Sequence, residues 1–114
     1  MKISIYRRAH FNAAHRLHNP KRSDEKNREV FGICNNPYYH GHNYDLEVRL
    51  TGEVDEETGY LVDLKIMKDI IKQEIEDYFD HKNINEQLPE FQNMMASTEN
   101  IAYVIYQRLR PHFS

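Results

Sequence analysis

The chain has 114 residues, of which 39% are hydrophobic and 29% charged, a composition typical of one small globular domain. Its formal net charge is -3 and it has no dense basic tract, so we expect no nucleic-acid partner. No apolar run approaches the length of a membrane-spanning helix, and one cysteine cannot form an internal disulfide. We therefore predict a cytoplasmic protein that does not enter the membrane.

Two strands are predicted in the first half of the chain. Apolar and polar side chains alternate over residues 2–9, which indicates the first strand. The alternation is stricter over residues 43–51, where every second residue is apolar, as expected for a strand with one buried face. If this second strand begins at residue 40, His40 and His42 lie on its buried face.

The segment His18–Tyr39, between the two strands, is long and polar. Its charged run, residues 21–28, has no useful apolar period, and we predict a solvent-exposed loop there. The later part of the segment is less polar and contains Cys34 between Gly32 and Pro37. Such a sequence is poorly suited to a core and well suited to a functional loop.

Two helices are predicted in the second half. Asp63 can cap a helix from Leu64 to about Phe79. Its apolar residues step by three and four: Leu64, Met67, Ile71, Ile75 and Tyr78. A second helix is predicted to start at Ser97 or Thr98 and to end before Pro111, with an inner stripe of Ile101, Val104, Ile105 and Leu109. Two strands and two helices leave one strand edge exposed and form only a thin core. We therefore expect both oligomerisation and a missing C-terminal part.

Three histidines form a candidate metal site. His15, His40 and His42 can supply three imidazoles and leave a fourth position open, as in catalytic zinc sites, although ligand type alone admits another late transition metal. His10 and His18 lie near His15 and compete with it for the third position. The residues alone do not separate these alternatives.

Candidate acid–base residues lie close to this site and after the first helix. Cys34 precedes His40 by six residues. It is a candidate base or nucleophile, because a nearby metal ion favours the thiolate form of cysteine. The alternative is that Cys34 is simply a small buried apolar residue. Asp80 and His81 are adjacent and could orient one another for proton transfer, or could simply end a helix.

Four segments together resemble the 6-pyruvoyl-tetrahydropterin synthase family, which includes the bacterial 6-carboxy-tetrahydropterin synthases. The matching segments are Phe11–Leu17, Cys34–Tyr44, Asp80–Asn83 and Ser97–Asn100. The resemblance implies a tunnelling fold of the α+β class, an antiparallel sheet with two helices on one face. It also implies a trimer or hexamer with active sites between subunits. The family carries two further strands after the second helix, so residues 1–114 are expected to be one domain truncated at its C-terminus.

The resemblance also implies a role for each candidate residue. It places zinc on His15, His40 and His42, proton transfer on Cys34, Asp80 and His81, and pterin-side contacts on Ser97, Thr98 and Glu99. From the residues alone, Ser97 and Thr98 are equally well explained as helix caps, and Glu99 as a first-turn acid.

The implied reaction converts 7,8-dihydroneopterin triphosphate to 6-pyruvoyl-tetrahydropterin with loss of triphosphate, which is carbon–oxygen lyase chemistry without a redox cofactor. Five residues separate Cys34 from His40, a spacing that resembles the pyruvoyl branch. The alternative is the 6-carboxy-tetrahydropterin synthase of queuosine synthesis, a carbon–carbon lyase that also releases acetaldehyde. The least favoured alternative is a non-catalytic protein that binds pterin or zinc.

Overall fold

The computed structural model describes residues 1–113, and a long two-stranded antiparallel ribbon dominates it. Strand β1 spans Lys2–His15 and strand β2 spans His40–Glu53. The two strands pair over their whole length, so that His15 lies directly opposite His40. Both predicted strands are confirmed, and β2 does begin at residue 40.

The two faces of the ribbon differ in polarity. The inner face carries alternate residues of each strand, including Ala9, Phe11, Ala13 and Val48, which are buried. This alternation continues beyond residue 9, which is why β1 is longer than predicted. The outer face is exposed and polar, with cross-strand contacts between Ser4 and Thr51, Arg8 and Glu47, and Asn12 and Asn43.

Residues 21–28, predicted to be a solvent-exposed loop, are exposed apart from Asn27, but they are helical from residue 24 onward, so the loop prediction was wrong there. Helix α1 spans Asp24–Phe31 and a 3₁₀ turn follows at Gly32–Asn35. The Ser23 side chain caps α1, and Asn27 is only 1% exposed. The Asn27 amide accepts a hydrogen bond from the main-chain N–H of Asn19 and donates to its carbonyl. Polar contacts therefore stabilise α1, and a search for apolar periodicity does not detect it.

The first predicted helix is confirmed as three consecutive segments. They are α2 at Leu64–Ile71, a π-helical turn at Lys72–Glu76 and α3 at Asp77–Phe79. The Asp63 side chain caps the helix, as predicted, by accepting a hydrogen bond from the main-chain N–H of Lys65.

The π-helical turn keeps one apolar stripe facing the core. The fully buried residues are spaced by four: Met67, Ile71, Ile75 and Phe79. In a regular α-helix, a step of four residues overshoots one turn by about 40°, so this stripe would wind around the helix. The wider π turn compensates for that drift. Two residues predicted to belong to this stripe are not fully buried: Leu64 is 61% exposed and Tyr78 is partly buried.

A short strand not predicted from the sequence follows α3. Strand β3, Lys82–Asn83, pairs in parallel with β1, so the sheet order is β2-β1-β3. Helix α4 spans Ile84–Gln87, and a 3₁₀ turn at Pro89–Phe91 comes after it. The main strand pair is antiparallel, as expected, but β3 makes the sheet mixed.

The second predicted helix is confirmed as α5, which spans Thr98–Leu109 and leads into a 3₁₀ turn at Arg110–His112. Ser97 caps α5 through its side chain, which accepts a hydrogen bond from the main-chain N–H of Asn100. One core cluster joins the inner face of the ribbon to both long helices. The α+β architecture with helices on one face is therefore confirmed.

A polar network links the π turn to α5. The Arg108 guanidinium contacts the Glu74 carboxylate at 3.1 Å and the Glu90 carboxylate at 3.4 Å. It also lies 3.4 Å from the ring centroid of Tyr78. All three charged side chains are less than one third exposed, so water screens these contacts only partly.

The described part of the chain is elongated, with extents of 60 × 22 × 20 Å. The radius of gyration is 17.3 Å, compared with about 13 Å for a compact domain of about 100 residues. Within residues 1–113, no strand pairs with the outer edge of β2. This agrees with the prediction that a strand edge is left exposed. No helix in this part of the chain is long and apolar enough to cross a membrane.

Candidate metal centre and active site

The ribbon brings three histidines together at one end. His15 is the last residue of β1, His40 is the first of β2, and His42 follows on the same face. The centroid of the His15 ring lies 4.6 Å from that of His40 and 5.1 Å from that of His42, and the centroids of His40 and His42 are 4.7 Å apart. One nitrogen from each ring lies within 4.8 Å of the others. This spacing allows the three imidazoles to share one metal ion.

The surroundings of His15 and His40 favour the neutral form of these two imidazoles. His15 is 5% exposed, and its Nδ1 lies 2.6 Å from the carbonyl oxygen of Ala96. A carbonyl only accepts hydrogen bonds, so Nδ1 carries the proton and Nε2 is left for a metal. Burial lowers the pKa of His15, and the neighbouring His40 and His42 lower it further. Burial and His42 likewise lower the pKa of His40. Neutral imidazole is the form that binds metals.

Two buried polar atoms support a cation-binding centre. Among the residues described, Nδ1 of His40 and the hydroxyl of Tyr44 are buried without a hydrogen-bond partner. Burial raises the pKa of Tyr44 to about 12, so its phenol stays neutral. Three imidazole nitrogen donors suit zinc and other late transition metals. The residues present therefore fit the expected metal.

Most of the predicted site residues line one hollow of about 390 Å³. Its lining includes the three histidines together with Cys34, Ser97, Thr98 and Glu99. Cys34 is a half-buried free thiol, and its carbonyl accepts a hydrogen bond from the Leu17 N–H at 2.8 Å. The structure thus brings a thiol, a carboxylate and a candidate metal centre into one cavity.

Asp80 and His81 line a separate hollow of about 430 Å³. The His81 Nδ1 lies 2.9 Å from an oxygen of Asp80, whose other oxygen accepts a hydrogen bond from the Asn12 N–H. The Asn12 hydrogen bond, followed by the contact with His81, holds the pKa of Asp80 below its usual value. His81 has a φ of +58°, a conformation that favours glycine, and its N–H donates to the Asn12 carbonyl. Within one chain, this pair does not share a cavity with Cys34.

The two competing histidines lie elsewhere. His10 is on the exposed outer face of the ribbon, and the Nδ1 of His18 lies 2.9 Å from the Asn35 amide nitrogen. Within residues 1–113, the one cluster able to hold a metal consists of His15, His40 and His42.

Sequence reasoning missed two groups that build the site. The Ala96 carbonyl that orients His15 is 81 residues away along the chain, and no local pattern identifies it. Asn12, whose main chain holds Asp80 and His81, was noted only as part of a matching segment. Its position on β1 next to β3 becomes evident only once that short parallel pairing is known.

The fold and the site define a small α+β protein with a three-histidine centre, and comparisons with known proteins identify the family. Residues 4–114 match the family described as 6-pyruvoyl tetrahydropterin synthase, and the chain belongs to that family. A 6-pyruvoyl tetrahydrobiopterin synthase of Poecilia reticulata is 44% identical over 87% of this chain and 67% of its own length. The solved 6-pyruvoyl tetrahydropterin synthase of Caenorhabditis elegans superposes with a TM-score of 0.93 at 38% identity, covering 100% of this chain and 81% of that one.

A relative with a different activity also matches. A dihydroneopterin monophosphate aldolase of Pyrococcus furiosus is 32% identical over 96% of this chain and 77% of its own length. The chain spans as little as 63% of the length of the curated relatives it matches. The curated relatives therefore include both a synthase and an aldolase.

Proposed function

We propose that the protein converts 7,8-dihydroneopterin triphosphate to 6-pyruvoyl-tetrahydropterin, a lyase reaction with loss of triphosphate. The observation that carries the proposal is the placement of Cys34 in the same hollow as the three-histidine cluster. The family and the synthase relatives support the same reaction. The free thiol of Cys34 also fits a reducing compartment, and we place the protein in the cytoplasm.

His15, His40 and His42 would hold a zinc ion. When bound, zinc supplies Lewis-acid polarisation of the substrate's side-chain hydroxyls, which acidifies the adjacent carbon–hydrogen bonds. The ligand set is preorganised, because His15 and His40 are opposite each other in the ribbon and the Ala96 carbonyl fixes the His15 ring.

Cys34 would accept the proton that leaves the substrate side chain. Its thiol lines the hollow, and its main chain is fixed to the segment after β1 by the Leu17 hydrogen bond. The pterin would contact the residues at the start of α5. There Glu99 offers a carboxylate to the ring N–H groups, with Ser97 and Thr98 beside it.

Asp80 and His81 would supply the second proton-transfer group. Asp80 is fixed by Asn12, and its carboxylate lies against the His81 ring, which is the arrangement that orients an acid–base imidazole. Because this pair does not share a cavity with Cys34 in one chain, we propose that a second copy presents its own pair to the Cys34 hollow. This requires a homo-oligomer with active sites between subunits, and we propose a trimer or hexamer.

The test is mass spectrometry of the products formed by the zinc-loaded protein from 7,8-dihydroneopterin triphosphate. A 6-pyruvoyl product without acetaldehyde supports the proposal. A 6-carboxy product with acetaldehyde would move the protein to the queuosine alternative, and aldol cleavage would place it with the aldolase relative. Pterin binding without turnover would favour a non-catalytic binding protein.

Two pairs of variants test the residue roles. Cys34→Ala should abolish turnover, whereas Ile33→Ala, a change at a 91% exposed neighbour, should not. His40→Ala should lose bound zinc in elemental analysis, and His10→Ala, on the opposite face of the ribbon, should keep it. Full activity of Cys34→Ala would remove the thiol from the mechanism.

A further inference from the structure

The turn that leads into the metal centre ends on a residue in an unusual conformation. The Tyr39 N–H donates to the Asn36 carbonyl at 2.9 Å, and the Asn36 side chain accepts from the Tyr38 N–H. Pro37 occupies the position of this turn that proline favours. Tyr39 has a φ of +71°, which suits glycine, and the next residue is His40.

The side chain of Tyr39 is fixed to a separate, well-anchored element. Its hydroxyl donates a hydrogen bond to the carboxylate of Glu86 in α4. The Glu86 N–H donates to the Asn83 side chain at 3.1 Å. The neighbouring Asn85 side chain bonds both the N–H and the carbonyl of Arg16, at 2.8 and 3.0 Å. Glu86 therefore gives Tyr39 a fixed partner outside the turn.

His40 depends on its backbone more than His15 does. The His15 ring is oriented by a hydrogen bond to the Ala96 carbonyl, whereas Nδ1 of His40 has no hydrogen-bond partner among the residues described. The direction in which the His40 ring points therefore depends on its main chain. Pairing with His15 holds that main chain from one side, and the turn that ends at Tyr39 holds it from the other.

We propose that the Tyr39–Glu86 hydrogen bond positions His40 for metal binding by holding Tyr39 in its left-handed conformation. A bulky residue keeps a positive φ only where its surroundings enforce it, and this hydrogen bond supplies that constraint. Tyr39 is a positioning residue that acts through the main chain of His40. The inference rests on the proposed metal site.

The experiment measures zinc affinity of the full 114-residue chain by competition with a chromophoric chelator. Tyr39→Phe and Glu86→Ala should each weaken zinc binding by between about twofold and tenfold, less than the loss of a group that hydrogen-bonds a metal ligand directly. Tyr38→Phe is the matched control and should bind zinc like the wild type, because Tyr38 is 91% exposed.

A rescue variant separates positioning from general stability. Glycine adopts a positive φ without a side-chain constraint, so adding Tyr39→Gly to Glu86→Ala should restore most of the lost affinity. Far-UV circular dichroism of the metal-free variants checks that they fold, which we expect because Glu86 is exposed.

Three results would count against the inference. Zinc affinities of Tyr39→Phe and Glu86→Ala within about twofold of the wild type would overturn the positioning role and leave the metal site intact. Failure of the glycine double variant to recover would show that φ at Tyr39 is not what the hydrogen bond controls. Absence of zinc binding by the wild type would overturn the metal site and the positioning role together.

Discussion

The central aromatic stack should contribute measurably to stability. Phe11 on β1 is 2% exposed and stacks between Tyr44 on β2 and Phe79 at the end of α3, with centroid distances of 5.0 Å on both sides. Replacing it in Phe11→Leu keeps an apolar side chain but removes both aromatic pairs. Phe91→Leu is a matched control, because Phe91 is 4% exposed and has no aromatic pair within residues 1–113.

The expected difference between the two variants follows from the two lost pairs. Each stacked pair contributes about 0.5–1.5 kcal/mol beyond its buried area, so Phe11→Leu should cost about 1–3 kcal/mol more than Phe91→Leu. For a domain of this size, this corresponds to about 4–12 °C in melting temperature.

Urea unfolding of the metal-free protein, followed by far-UV circular dichroism, measures both variants against the wild type. Addition of a chelator keeps zinc from masking the difference. Equal losses of unfolding free energy in the two variants would refute the reasoning, because the stack would then add nothing to simple burial.

Three further perturbations have definite expected outcomes. Without metal, the free energy of unfolding should fall as the pH drops below about 6.5, because the pKa values of His15 and His40 are lowered in the folded state and the unfolded chain then binds more protons. Urea midpoints measured across this pH range should show the fall. In a His15→Gln/His40→Gln double variant the pH dependence should be weaker. Arg108→Ala should cost about 2–3 kcal/mol in the same assay, because the partly buried carboxylates of Glu74 and Glu90 lose the cation that they share, whereas the exposed Arg49→Ala should cost less than about 0.5 kcal/mol. Ser97→Ala should cost about 1 kcal/mol and Ser97→Asp much less, since aspartate also caps; equal losses would show that the cap contributes little.

The ribbon and the long helices were predictable because their signals are local. The alternation over residues 43–51 and the capping roles of Asp63 and Ser97 each depend on residues within a few positions. The same alternation places two members of the histidine cluster, His40 and His42, on one face, and the pairing of β1 with β2 brings His15 to them.

Other features depend on contacts between distant parts of the chain. Helix α1 is stabilised by the buried amide of Asn27, and β3 exists only because Lys82 pairs with Ala13. The separation of Asp80 and His81 from Cys34 follows from the three-dimensional path of the chain, and adjacency in sequence says nothing about it. Local patterns therefore predicted the two long strands and the two long helices, but not α1, β3 or how the acid–base groups divide between two cavities.

The pairing of His15 with His40 has a topological consequence. These two residues form the last rung of the ribbon, and residues 16–39 connect them. An ion bound to both would close that segment into a ring, restricting the unfolded chain much as a disulfide does. The ring contains α1 and Cys34, so removing the ion should loosen the segment that carries the thiol before it loosens the helical core. A chelator that removes the ion would then also release the Cys34 thiol from its position in the hollow.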